Sequence, residues 1–305
     1  FYQPYKDIRL VGTPPESVGK FGGDTDNWEW PRHTGDFSVF RVYMSADGKP
    51  ADYATGNIPL KPKYFLPVSI KGVKDGDYAM TYGYPGGTNR YESSFGVKLK
   101  TDVENPALVE LREMRLKYMF EQMKNDPAVK LKLASNYAGI ANYWKFFDGE
   151  SKQLKKFKVY EQKQSDEQDF LQWAKGKPEY ENIFSDWKKA YDAYQPYARH
   201  RMYINEGILG SPLLAYASSL MILESDMVKK GVDHPDVKKG LESADRLRKN
   251  FLAEANMVSD QKILADVMKM FYENIDKNQH PIGFYESMRG TYGDLKDGAT
   301  YAKYA

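Results

Sequence analysis

The sequence contains no cysteine. That excludes disulfides, thiolate metal sites and a cysteine nucleophile, and it leaves the compartment open. Histidine is scarce, with four in 305 residues, so a site built from several imidazoles has little to draw on. Neither charge sign dominates: Lys and Arg number 44, Asp and Glu 42, for a formal net charge of +2. A chain so balanced offers no electrostatic argument for nucleic acid or an anionic membrane. No apolar run approaches the roughly 18 residues a membrane helix needs, so no membrane insertion is expected. What is present is a globular profile, 41% hydrophobic and 28% charged. The length allows a sizeable core in one large domain or two ordinary ones. Nothing in the sequence calls for a metal or an organic cofactor.

The chain opens FYQPYKDIRLVG, without Met or a basic-then-apolar leader, and stops at YAKYA in sequence that still reads as structured. It is expected to be a piece of a longer protein, with any targeting segment upstream.

Composition changes near residue 100. Before it, Gly and Pro punctuate short β-like runs: DIRLVG, DFSVFRVYM, FLPVSIKGV and DYAMTYGYPGG. These read as short strands separated by turns, with Asp47-Gly48 and Asp75-Gly76 as turn signals. After residue 104 the pattern is helical. Asn105-Pro106 is expected to start a helix with Leu108, Leu111, Tyr118, Met119 and Met123 on one face. A second helix is expected from about Leu241, with Ala244, Leu247, Phe251 and Leu252 on one side. A third follows a cap at Ser259, carrying Ile263, Val267, Met268 and Phe271. The Lys-rich stretch 151–168 reads as a solvated helix face. The fold class is therefore α+β, a β-rich part followed by an all-α part.

The densest concentration of chemistry is GGDTDNWEWPRHTGD, residues 22–36. His33 and Asp36 could be two members of a catalytic triad, or His33 could be a packed structural residue. Asp24, Asp26, His33 and Asp36 offer metal donors, yet their spacing fails the calcium-loop pattern and the tryptophans and proline crowd any coordination sphere. Asp36 leads the alternating strand DFSVFRV, as the triad acid does in trypsin-like serine proteases. Further on, VSIKGVKDGDYAMTYGYPGG supplies Gly76-Asp77 and Gly83-Tyr84-Pro85-Gly86, matching the opening of the second barrel in such proteases. Gly210-Ser211-Pro212 superficially matches a nucleophile turn, but Ser211 reads better as an N-cap with Pro212 at the first helical position. Trp28 and Asn27 could wall a pocket for an ammonium group, through cation–π contact and a carboxamide oxygen. A site for a free α-amine would make a protease an exopeptidase.

Taken together, VGKFGGDTDNWEWPRHTGDFSVFRVY, GNIPLKPKYFLPVSIKGV, GYPGGTNRY and YAGIANYWKFFDGE closely resemble the bacterial dipeptidyl peptidase 7 and 11 family, across essentially the whole chain. The resemblance implies a serine exopeptidase that releases dipeptides from oligopeptides with a free N-terminus. It implies a trypsin-like double β-barrel with a helical domain inserted in the second barrel. Residues 1–100 would then hold the end of the first barrel and the start of the second, and 101–305 the helical cap. It places the triad acid at Asp36 and amine-binding groups at Asn27, Trp28 and Asn142, and leaves His33 structural. The triad His and Ser, and the segment selecting an acidic or hydrophobic side chain, would lie outside this chain. This piece alone would then be inactive. Export to the periplasm or cell surface and a homodimer are likewise implied by the resemblance. Two other readings stay open on the residues alone: a trypsin-like endopeptidase with a regulatory helical insertion, and a non-catalytic peptide-binding protein.

Overall fold

The computed structural model describes residues 2–23, 28–80, 86–87 and 89–305. The chain divides into two compact units, Phe1–Arg90 and Tyr91–Ala305.

In the first unit, β1 (Asp7–Gly12), β2 (Val39–Met44) and β3 (Ile58–Pro59) form an antiparallel sheet in that order. A short helix, α1 (Glu16–Gly19), lies between β1 and β2. The register is set by polar side chains. Buried Asp7 accepts from Arg9 Nε at 3.0 Å and Nη2 at 2.8 Å, and from Asn57 Nδ2 at 2.8 Å. Arg9 also lies 3.8 Å from the centre of the Tyr43 ring, across the β1–β2 pair. Arg9 Nη2 and Asn57 Nδ2 tie in the segment before β3 by donating to the carbonyls of Ala54 and Asp52. The expected turns form at Gly48, with φ +82°, and Gly76, with φ +85°, a left-handed backbone that glycine adopts without a Cβ clash.

Two expected strands are missing. FLPVSIKGV and residues 78–80 are not strands, because a strand exists only as a pairing and the described residues offer them no partner. A barrel closes only when each strand has two neighbours; here β1 and β3 have one each. The described residues thus form a small sheet rather than a double β-barrel. Ile8, Leu10, Val39 and Phe40 of that sheet are exposed.

The second unit is helical. Ser93 caps α2 (Ser94–Leu99), its Oγ accepting from Gly96 N at 3.2 Å. The chain then passes through a π-helical turn, Lys100–Glu104, into α3 (Asn105–Asn125). Asn105-Pro106 therefore continues a helix instead of starting one. The wider turn before Pro106 relieves the clash its ring would make with the carbonyl four residues back. Asp126 alone separates α3 from α4 (Pro127–Lys156) and caps it, accepting from Ala128 N at 2.8 Å. Buried Asn105 locks the pair at its other end, donating to Glu150 Oε2 at 2.9 Å and Ser151 Oγ at 3.0 Å.

The chain continues through α5 (Val159–Ala174), α6 (Pro178–Glu181) and α7 (Ile183–Met202) to a second π-helical turn, Tyr203–Ile208. Then come α8 (Pro212–Lys230), α9 (Pro235–Glu254), α10 (Met257–Asn274), α11 (Phe284–Tyr292) and α12 (Gly298–Tyr304). Leu111 and Met119 of α3, Leu133 and Ile140 of α4, Tyr203, and Val267 and Phe271 of α10 form the main core. A smaller one, Leu223, Val237 and Ala244, joins α8 to α9.

Ser211 caps α8 as expected, accepting from Leu214 N. Ser259 does not cap α10. Asn256 does, and Ser259 is the fully buried third helical residue whose N–H and hydroxyl both donate to Asn256. The exposed Met257 and Val258 disguised that start. α9 begins at Pro235 behind a His234 cap, and Leu241 and Leu252 of its expected apolar face are exposed. The Lys-rich stretch 151–168 is mostly exposed but breaks at Lys158, with φ +52°, between α4 and α5. No single helix among the described residues is long and apolar enough to cross a membrane.

Candidate functional site

The loop carrying the cluster leaves and re-enters the sheet at one place, since Gly12 and Val39 are paired. Its two stems are tied together by α1. Gly35 N donates to Val18 O at 3.0 Å, and Thr34 Oγ1 to Phe21 O at 2.9 Å. Gly35 sits close to the helix, where a Cβ would stand 3.0 Å from Val18 Cγ1 and one of the two would have to shift. His33, itself exposed, meets Phe21 edge-on with ring centres 6.4 Å apart.

Asp36 follows this tied segment directly. It is exposed and three residues before β2 begins, so the start of β2 and the Gly35–Val18 bond hold its backbone on either side. Trp28 has φ +67°. A bulky residue in the left-handed region costs on the order of 1–3 kcal/mol, and such strain concentrates where a side chain must be aimed at a ligand. Its indole is 60% exposed. Asn27, Asp24 and Asp26 lie outside the described residues. Among the described residues no three His, Asp or Glu side chains gather as a metal site.

Asn142 lies in the second unit, near the middle of α4. Ile140 and Ala141 just before it are buried in the core, and Asn142 itself is half-buried. The turn is therefore anchored on its apolar side, and Asn142 follows directly on that anchor. Sites on helices hold their geometry better than sites on loops.

A polar network borders this region and is not evident in the sequence. Arg115 of α3 donates through Nη2 to Gly210 O at 3.1 Å and through Nη1 to Glu206 O at 3.4 Å. Burial pushes the Arg115 guanidinium below its ordinary value, against the pull of Glu206. Burial also pushes the Asp260 carboxyl up. Arg112 pairs with Glu206. These residues sit at i, i+3 on α3 and far along the chain in a π-helical turn. Nothing in the sequence of α3, which carries charged residues along its whole length, sets Arg112 and Arg115 apart from its exposed charges.

Residues 1–301 match the Peptidase S46 family. An Asp/Glu-specific dipeptidyl-peptidase of Flavobacterium psychrophilum is 43% identical over 282 residues, 91% of this chain and 39% of that protein. Dipeptidyl-peptidase 7 of Porphyromonas gingivalis is 40% identical over 306 residues, 98% of this chain and 41% of that protein. The chain thus spans about two fifths of the length of these relatives. Among solved structures, DPP11 of Porphyromonas endodontalis in complex with the dipeptide Arg-Glu superposes with a TM-score of 0.75 at 31% identity. That match covers 98% of this chain and 43% of the other. With the family matched along nearly its entire length, the chain belongs to the Peptidase S46 family.

Proposed function

We propose that the full-length protein is a serine-type dipeptidyl peptidase that removes dipeptides from the free N-terminus of oligopeptides. The observation that carries this is the match of residues 1–301 to Peptidase S46, with dipeptidyl-peptidases 40% and 43% identical across nearly the whole chain. The reading assigns the first 100 residues to a trypsin-like double β-barrel completed by chain beyond this piece, and residues 101–305 to a helical cap. The exposed apolar side chains on the small sheet are in keeping with further strands packing there.

Asp36 is the triad acid in this reading. A serine hydroxyl attacks the second peptide bond, a histidine takes its proton and returns it to the leaving amine, and water then hydrolyses the acyl-enzyme. Asp36 accepts from the imidazole, fixes its tautomer and stabilises the imidazolium. Its place directly after the tied loop stem suits that role. Asn27, Trp28 and Asn142 hold the substrate's α-ammonium, by accepting hydrogen bonds and by presenting the indole face. The strained, exposed Trp28 favours this assignment. Because Asn27 and Trp28 of the amine grip share one loop with the triad acid, that loop ties the amine's position to the scissile bond, which makes a two-residue ruler. Export to the periplasm or cell surface and a homodimeric state belong to the same proposal, on the strength of the resemblance.

The test offers the full-length protein two peptides identical except for a free or acetylated N-terminus, with products followed by mass spectrometry. Dipeptides are expected from the free peptide alone. Equal cleavage of both would make the enzyme an endopeptidase and leave the loop without its amine-binding role.

A further inference from the structure

The contact between α3 and α4 is largely apolar, and Arg112 interrupts it. Its side chain is 12% exposed, and Nη2 reaches Glu206 Oε2 at 2.7 Å. On the other side Nη1 donates to Ile140 O at 3.5 Å, and the guanidinium lies 5.5 Å from the ring centres of both Tyr143 and Phe147. Positions 140, 143 and 147 are three and four apart, so they form one stripe of α4. Asn142 lies inside that turn.

A guanidinium is rigid and planar. Contacts to its edge and its face together constrain both the distance and the rotation of the helix it touches. Glu206 anchors the opposite edge, and its own backbone is held by Arg115. A buried pair of this kind is weak evidence for stability, since apolar residues of similar volume usually do as well.

We infer that Arg112, braced by Glu206, is a positioning residue that sets the α4 turn presenting Asn142 to the α-amine of a peptide substrate. This rests on the reading of Asn142 as an amine-binding residue. Arg112 need not touch substrate. Its effect passes through the helix turn, so it matters only while Asn142 is there to be positioned.

The test is a double-mutant cycle in the full-length protein, following dipeptide release from a free-amine peptide for the wild type, Arg112→Met, Asn142→Ala and both together. Coupling between residues that act through one element corresponds to roughly tenfold. Arg112→Met should raise KM by that order with kcat little changed, and the double variant should be no worse than Asn142→Ala. Effects that multiply, or an unchanged KM in Arg112→Met beside a raised KM in Asn142→Ala, would overturn the proposal while sparing the amine-binding reading. An unchanged KM in Asn142→Ala would overturn both. Should Arg112→Met fail to fold, Arg112→Lys carries the same cycle. It keeps a cation for Glu206 and loses the planar face over Tyr143 and Phe147, so a raised KM at an unchanged melting temperature is expected. An unchanged KM there would equally overturn the proposal.

Discussion

Replacing Gly210 by alanine adds one methyl group at the point where the second π-helical turn gives way to α8. That methyl would fall far inside van der Waals contact of the Glu206 carbonyl oxygen and 2.9 Å from Arg115 Nη1. Part of what it meets is backbone, so the clash cannot be relieved by a rotamer change. The carbonyls of Glu206 and Gly210 are both acceptors for Arg115, whose side chain is only 12% exposed. Overpacking costs about 1–3 kcal/mol, and leaving a buried donor without its acceptors costs about 1–3 kcal/mol more. The sum is about 2–6 kcal/mol, or a fall of roughly 5–20 °C in the melting of a helical unit this size. Gly139 supplies the control. It lies in α4, is exposed, and a Cβ there meets nothing within 4 Å. Gly139→Ala should gain up to about 1 kcal/mol from helix propensity and raise the melting temperature by about 2–4 °C. Calorimetry on the two variants reads both signs. Shifts in the same direction, or a Gly210→Ala transition within about 1 °C of the parent, would refute the account of this turn.

Two further outcomes are expected. On the proposed triad, Asp36→Asn in the full-length protein should lower kcat for dipeptide release by about 10⁴, the loss that follows when a triad imidazole is held in the wrong tautomer; an active variant would refute the proposed role of Asp36. The Asp7 carboxyl, held down to about 2 by the hydrogen bonds from Arg9 despite its burial and with help from Asn57, makes the sheet acid-sensitive. Because its folded value lies below the unfolded one, its contribution to stability is complete above pH about 4 and is lost as pH falls toward 2. Carbon-13 NMR titration of Asp7 should show the depressed midpoint, and an ordinary carboxyl midpoint would contradict the Arg9–Asp7–Asn57 network.

The sequence was most legible where local chemistry dictates structure. Ser211 ahead of Pro212 is a helix start in isolation as much as in the fold, because the cap is made within four residues. The turns at Gly48 and Gly76 need only a backbone that glycine tolerates. The apolar face of α3 was readable from Leu108, Leu111 and Met119, which the fold buries. Reading failed where a partner decides. Asn105-Pro106 carries every mark of a helix start, yet the preceding residues already pack as a helix, anchored by Glu167, whose carboxylate accepts from Ser94 N and Oγ at 2.7 Å each. That glutamate sits in the stretch expected to be solvated throughout. FLPVSIKGV has strand composition and, among the described residues, no strand to pair with.

The sequence alone singles out loop 22–36 as the proposed chemical centre, with Asp36 at its exit and Asn27 and Trp28 within it. The motif is long and contiguous, so no folding is needed to assemble it. Tertiary structure decided what lies behind Asn142. Arg112, Glu206 and Ile140 come from α3, a π-helical turn and α4, and only packing brings a buried guanidinium between them. It also gave Trp28 its left-handed backbone. Residue type does not encode that conformation; the tied stems of a closed loop can impose it.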